Sequence, residues 1–202
     1  MSAHAADAPS HSARRAGRPR SPERDAAILD AALRLLSTEG YSRMTMDAVA
    51  AEAGVSKATI YLRHPGKADL ATAALQHLRQ TAARPPTGHL RADLVAELRQ
   101  MRINTERSRA MRLVGTCLTE EEQTPELMEL FRARTMRPRR EIIRRMLEEA
   151  RERGEVPADA AIEPAVDLLM GAYHSRYLSG EPVEDGWEEG VIDALLDGVG
   201  RA

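Results

Sequence analysis

The sequence predicts an all-α protein, on three observations. Apolar residues recur at three- and four-residue spacing in one segment after another, as in Ile28, Leu29, Ala32, Leu33 and Leu36. No segment alternates apolar and polar residues as a half-buried strand does. Hydrophobic residues make up 43% of the 202-residue chain but aromatic residues only 3%. The core must therefore be aliphatic, built from Leu, Ala, Val, Ile and Met, which favours helices.

Residues 1–20 are rich in Ala, Ser, His and Pro and end in Arg14, Arg15, Arg18 and Arg20. Such a composition buries too little apolar surface to fold, so a basic arm is expected. Gly17-Arg18-Pro19-Arg20 is similar to the core of AT-hook arms, whose arginines enter a narrow minor groove; a solvated basic tail is the alternative.

Ser21-Pro22-Glu23 starts the first helix, with a cap residue, a proline in the first turn and an acid at the positive dipole end. Gly40 stops it, and Tyr41 is expected to fold back onto its stripe. Thr45 caps a short helix whose inward face is Ala48, Val49 and Ala53. Gly54 stands where the turn needs positive φ. Ser56 then caps a second short helix over Lys57–Arg63, ended by Pro65-Gly66. Val55 and Ile60 face inward on it, which leaves Lys57, Ala58, Thr59, Tyr61 and Arg63 outward. Two short helices joined by a tight glycine turn make a helix-turn-helix, whose second helix fits the major groove of DNA.

A fourth helix from Lys67 to about Ala83 turns Leu70, Ala74, Leu75 and Leu78 inward, and Arg84-Pro85-Pro86-Thr87-Gly88 ends it. The expected division is an arm at 1–20, a helix-turn-helix head at 21–83 and a helical body at 84–202. In the body, Leu90, Leu94, Leu98 and Met101 mark one helix and Met111–Thr119 another. A longer element from Thr124-Pro125-Glu126 carries Leu127, Phe131, Ile142, Ile143, Met146, Leu147 and Ala150. Pro138 should kink or break it, since proline removes one ladder bond. Two last helices follow, about Ile162–Ser179 and Glu184–Gly198.

Ile28–Leu36, Glu39–Tyr41, the run TMDAVAAEAGVSKATIY at Thr45–Tyr61 and Lys67 together resemble the DNA-binding domain of TetR-type bacterial transcription regulators. Several elements match in order and spacing over about residues 23 to 80. Gly171–Pro182, GAYHSRYLSGEP, with the apolar helix after it, resembles the C-terminal bodies of one TetR subgroup. The resemblance implies that Thr45, Ser56, Thr59, Tyr61 and Lys67 hold the DNA backbone. Lys57 and Ala58, at the tip of the reading helix, are best placed for base edges, with Arg63 and the arm residues Arg18 and Arg20 as further DNA contacts. Two positions depart from the family pattern. Leu62 replaces a polar or aromatic residue, so it either loses a phosphate contact or meets a thymine methyl. His64 puts an imidazole where the head's core usually closes; a backbone carbonyl is its expected partner, a pH-sensing role being the alternative.

The resemblance also implies a homodimer on a near-palindromic operator and a small-molecule effector in the body. Val166, Leu169, Met170, Tyr173 and Tyr177, with Val191, Leu195 and Val199, are the expected dimer surface, ordinary core being the alternative. Met101, Met111, Cys117, Tyr173, His174 and Trp187 are the candidate effector lining, with packing as the alternative for each. His174 and Arg176 are its polar pair.

Charge agrees once it is divided. Residues 1–80 hold 11 Lys/Arg against 8 Asp/Glu, and residues 81–202 hold 18 against 23, within an overall −2. Of 29 basic residues only two are lysine, Lys57 and Lys67, both at the reading helix. Lysine suits a compact charge that must reach a phosphate; chance clustering is the alternative. Catalytic signals are missing: there is no His-Glu-x-x-His, no GxGxxG and no Walker loop. Gly54-Val55-Ser56-Lys57-Ala58 falls short of a GxSxG elbow, which needs a preceding strand. Neither enzyme activity nor a metal or cofactor is expected. The single cysteine fits a reducing cytoplasm, and no apolar run approaches membrane-spanning length. A ligand-responsive regulator, most often a repressor in this family, is the leading reading. A ligand-independent architectural DNA-binding protein is the alternative.

Overall fold

The computed structural model describes residues 21–82 and 85–199, which form ten α-helices and no strand. The basic arm with Arg18 and Arg20 lies outside the described residues. So do Ala83 and Arg84, where head was expected to meet body.

Helix α1 (Pro22–Thr38) starts as its sequence requires, with Ser21 as cap residue, although the Ser21 side chain makes no capping bond. Its buried residues Ile28, Ala31, Ala32, Leu35 and Leu36 pack on Val49 of α2 (Met46–Ala53), Ile60 of α3 (Lys57–Tyr61) and Leu70 and Ala74 of α4 (Lys67–Ala82). Met44, in the loop before α2, completes this core with no exposed surface. Ala31, Ala32, Ala50, Ala71 and Ala74 lie among larger Ile, Leu and Met side chains, and α3 is held by packing rather than by its own length.

The body has two apolar centres. The larger joins α5 (Leu90–Ser108), α8 (Arg137–Glu152), α9 (Ile162–Ser179) and α10 (Trp187–Val199) through residues such as Leu94, Leu98, Leu147, Val166 and Ile192. The smaller sits where α4 meets α6 (Ala110–Thr119) and α7 (Pro125–Phe131), with Leu75, Leu113, Cys117, Leu127 and Phe131. Helix α4 therefore turns Leu70 and Ala74 into the head and Ala68 and Leu75 into the body.

The expected break at Pro138 takes a specific form. A π-helical turn, Arg132–Met136, joins α7 to α8, and the Arg137 N–H donates to the Arg132 carbonyl five residues back. Proline lacks the N–H of the normal ladder and its ring crowds the preceding turn, so one wide turn absorbs the mismatch.

The expected dimer surface is a correction. Val166, Leu169, Met170, Tyr173 and Leu195 are all buried within the chain's own core. Val191 packs against that core, Tyr177 is half exposed, and the Val199 side chain lies outside the described residues. The face left outward on α9 is instead Pro164, Leu168, Gly171, Ser175 and Leu178, beside Ala194 and Gly198 of α10. Helix α9 is apolar on two sides, and the sequence alone does not say which side its own chain covers.

Two backbone positions in the left-handed region test the fold. Gly54, at the turn before α3, has φ 64°, and a Cβ there would meet nothing within 4 Å. Arg109, between α5 and α6, has φ 48° and is the non-glycine residue with positive φ among the described residues. Gly54→Ala should therefore lower stability by about 1 kcal/mol through conformational strain alone, while Arg109→Gly should cost nothing or raise it by a similar amount. Urea denaturation followed by circular dichroism reads both.

Candidate nucleic-acid interface

The reading helix is built from its caps outward. Thr45 Oγ1 accepts from the Ala48 N–H at 3.1 Å and starts α2. Ser56 Oγ accepts from the Thr59 N–H at 3.2 Å and starts α3, and the two hydroxyls lie 2.8 Å apart. The Gly54 N–H returns to the Ala51 carbonyl at 3.3 Å, which closes the turn. Ile60 anchors the helix in the head core with no exposed surface.

Thr45, Ser56, Lys57, Ala58 and Tyr61 are exposed and Thr59 is half-buried, so these six sequence-predicted residues come together around one protruding helix. Leu62 is 79% exposed, an apolar side chain offered to whatever this surface meets. Lys57 Nζ donates to Asp47 Oδ2 at 2.8 Å, and that bond raises the Lys57 ammonium above its ordinary value. Both side chains of the pair are well exposed. An ion pair in water is weak and screened, so a phosphate or a base edge can displace Asp47.

Two predicted contacts sit differently. Arg63 was expected to face outward but reaches back, donating to Asp25 of α1 and to the Thr59 carbonyl at 3.1 Å. Lys67 donates to the Ser42 carbonyl at 3.0 Å and lies 4.5 Å from the centre of the Tyr41 ring. Burial lowers the Lys67 ammonium, with Glu120 opposing. In this arrangement both cations tie loops and helices of the head together.

His64 has a carboxylate partner instead of the expected carbonyl. Its Nδ1 lies 2.7 Å from Asp69 Oδ2, and an ionised carboxylate only accepts, so the imidazole donates. The His64 N–H in turn holds the Ile60 carbonyl at 2.8 Å, at the end of α3. From the body, Arg134 of the π turn donates to the other Asp69 oxygen, to the Asp69 carbonyl at 2.7 Å and to the Thr72 hydroxyl at 3.2 Å. Burial pushes the Asp69 carboxyl up, but the bonds and charges of Arg134 and His64 outweigh it and hold the group below its ordinary value. Asp47, Asp69 and Arg134 were not singled out in the sequence. Arg134 is one arginine in the run RARTMRPRR, and only the π turn distinguishes it.

The candidate effector residues divide. Met101, Tyr173 and Trp187 belong to the larger body centre, and Tyr173 meets Trp187 edge-on at 6.4 Å. Cys117 belongs to the smaller centre, where burial pushes its thiol up to about 11. Met111 is half-buried on α6, and His174 Nδ1 bonds the Met170 carbonyl at 2.8 Å. Arg176 Nε is buried without a hydrogen-bond partner among the described residues.

Comparison with known proteins agrees with this geometry. The family of bacterial regulatory proteins of the tetR type matches residues 28–74, and the tetracyclin repressor-like C-terminal domain matches residues 84–195. The chain belongs to the TetR family. An uncharacterised helix-turn-helix transcriptional regulator of Mycobacterium tuberculosis is 35% identical over 194 residues, 93% of this chain and 95% of the relative. The DNA-binding transcriptional repressor TetR of Mycobacteroides abscessus is 31% identical over 179 residues, 88% of this chain and 94% of its own. The crystal structure of the TetR family transcription regulator SCO0332 superposes with a TM-score of 0.71 at 36% identity, covering 88% of this chain and 98% of that one. TetR-family proteins are DNA-binding transcriptional regulators rather than enzymes. Among the described residues no helix is long and apolar enough to cross a membrane.

Because its folded-state value is depressed, Asp69 contributes stability above the ordinary aspartate value of 3.8 and loses it as pH falls through the lower folded value. Asp69→Asn should therefore be clearly less stable than the parent at pH 7, and the gap should narrow as pH falls below about 4. Urea midpoints of both proteins between pH 7 and pH 3 give the measurement.

Proposed function

We propose that the protein is a ligand-responsive repressor that binds a near-palindromic operator as a homodimer. The observation that carries the reading is the Ser56-capped helix, which leaves Lys57, Ala58 and Tyr61 exposed together. Lys57 donates to a guanine edge and Ala58 meets a thymine methyl. Thr45, Ser56, Thr59 and Tyr61 contact phosphates and set the register. Lys67 and Arg63 join them only by exchanging their present partners, and Arg18 and Arg20 of the arm supply further groove contacts.

One small head covers too little duplex for high specificity, so two act across a twofold axis. The outward face of α9 around Leu168, which is 65% exposed, and Leu178, 77% exposed, supports a paired four-helix interface with α10. An apolar groove of about 420 Å³ between α9 and α10, bordered by Pro164, Leu168 and Ala194, continues that face.

A ligand that favours one spacing of the two heads over another shifts the population on or off DNA. The Arg134–Asp69–His64 chain supports this coupling, because it runs from the π turn of the body to the end of the reading helix. A movement of α7 or α8 would pull on α4 and α3 together.

Selection from a random duplex pool by the full chain should enrich a near-palindrome. Lys57→Ala should relax one position in each half-site, at about 1–3 kcal/mol of discrimination. If no duplex is retained at low salt, the reading fails. Leu168→Glu should convert dimers to monomers in sedimentation and weaken operator binding, with the helical content unchanged.

A further inference from the structure

Between Met46 and Tyr61 the charged residues are Asp47, Glu52 and Lys57. Glu52 is turned toward α1, where it accepts from Arg34 Nε. Asp47 and Lys57 face one another from α2 and α3, with Lys57 Nζ 2.8 Å from Asp47 Oδ2. Among the described residues this is the one side-chain hydrogen bond that either residue makes. The Asp47 side chain is 71% exposed and that of Lys57 49%, so other protein groups leave both free to turn outward. Tyr61, one turn further along α3, also acts on the Lys57 charge, which places all three on one surface.

The pair leaves the reading surface without net positive charge, although it must approach a polyanion. A carboxylate there repels every phosphate it nears. An acid in the first turn of α2 does favour the positive end of the helix dipole. That role does not explain why the acid stands within reach of the reading lysine. The edge of a base pair in the major groove does. Guanine presents N7 and O6 as acceptors, and cytosine beside it presents the N4 amine as a donor. A donor and an acceptor side by side, as Lys57 and Asp47 are, complement the step from O6 to N4. The ammonium has three hydrogens, and Asp47 Oδ1 carries no bond among the described residues, so both groups can serve the base pair at once.

We propose that Asp47 is a specificity-determining residue: while Lys57 donates to guanine O6, Asp47 accepts from the N4 amine of the paired cytosine, and the two side chains read one G·C pair together. An A·T pair in the same place reverses both groups, setting the adenine N6 donor against Lys57 and the thymine O4 acceptor against Asp47. A C·G pair reverses them as well. A T·A pair keeps the order but carries a methyl group where guanine has N7, which makes it the nearest competitor. On a wrong pair the carboxylate gives up its lysine and gains no donor, so rejection comes from repulsion as much as from a lost contact. The proposal rests on the operator-binding reading and names a second residue of its base-reading site.

The test uses the full chain, the operator selected from the random pool, and copies carrying A·T or C·G at the pair that Lys57→Ala relaxes. Fluorescence anisotropy follows binding, with an unrelated duplex of equal length for comparison. The parent should prefer G·C at that pair by about tenfold or more. Asp47→Ala should lose most of this preference at the same pair, and the double variant should lose little more. Asp47→Ala should also hold the unrelated duplex several-fold more tightly than the parent, whereas Lys57→Ala holds it less tightly. An operator with N4-methylcytosine at that pair replaces the exposed amine hydrogen with a methyl group. It should weaken the parent by about tenfold with no change to the protein, so the test does not depend on how a variant folds. An Asp47 that serves only α2 would weaken all duplexes by one factor on Asp47→Ala, and that result overturns the proposal. So does a G·C preference that survives Asp47→Ala, a different base pair selected opposite Lys57, or a parent indifferent to the methylated cytosine. A parent that retains no duplex rejects the operator-binding reading itself, which keeps the two failures apart.

Discussion

Removing a carboxylate from water is unfavourable unless donors replace the solvent, and the donors that Asp69 recruits come from both halves of the molecule. His64 brings the end of the reading helix and Arg134 brings the π turn, so one side chain on α4 is bonded from the head and from the body. The apolar packing beside it is made largely of leucine and alanine, with Ile28, Met44, Ile60 and Phe131, and is non-directional. A charge-assisted bond is less tolerant of distance and angle. The position of α3 therefore depends on this polar centre as well as on the core beside it, in which Ile60 is fully buried.

Much of this architecture was legible in the chain. Apolar spacing marked the helices, and Thr45, Ser56 and Gly54 announced the helix-turn-helix, because caps and positive-φ turns act over three or four residues. Pro138 announced a disturbance, though not its form, since whether a chain answers proline with a kink or a wide turn depends on neighbours far along the sequence. The long-range partners were hidden for the same reason. Nothing local distinguishes an Arg63 that faces a groove from one that bonds Asp25, 38 residues earlier. His64 found a carboxylate five residues on rather than a carbonyl, a choice settled when α4 turned Asp69 toward it.

The largest misreading concerns α9. Tyr173, Val166, Leu169 and Met170 form one apolar stripe and Leu168 and Leu178 belong to another, and a periodic pattern with two apolar faces does not say which one its own chain covers. The candidate effector residues show a related limit: a Met or a Tyr that fills a core and one that lines a cavity have the same sequence signal.

The reading helix spans five residues, Lys57–Tyr61, and owes its shape to Ile60 set in the head core and to the Ser56 cap. Helices that short do not persist alone in water. A synthetic peptide copied from this segment would be coil, and a mimic meant to compete for the operator would need a covalent staple, or the whole three-helix head as its scaffold.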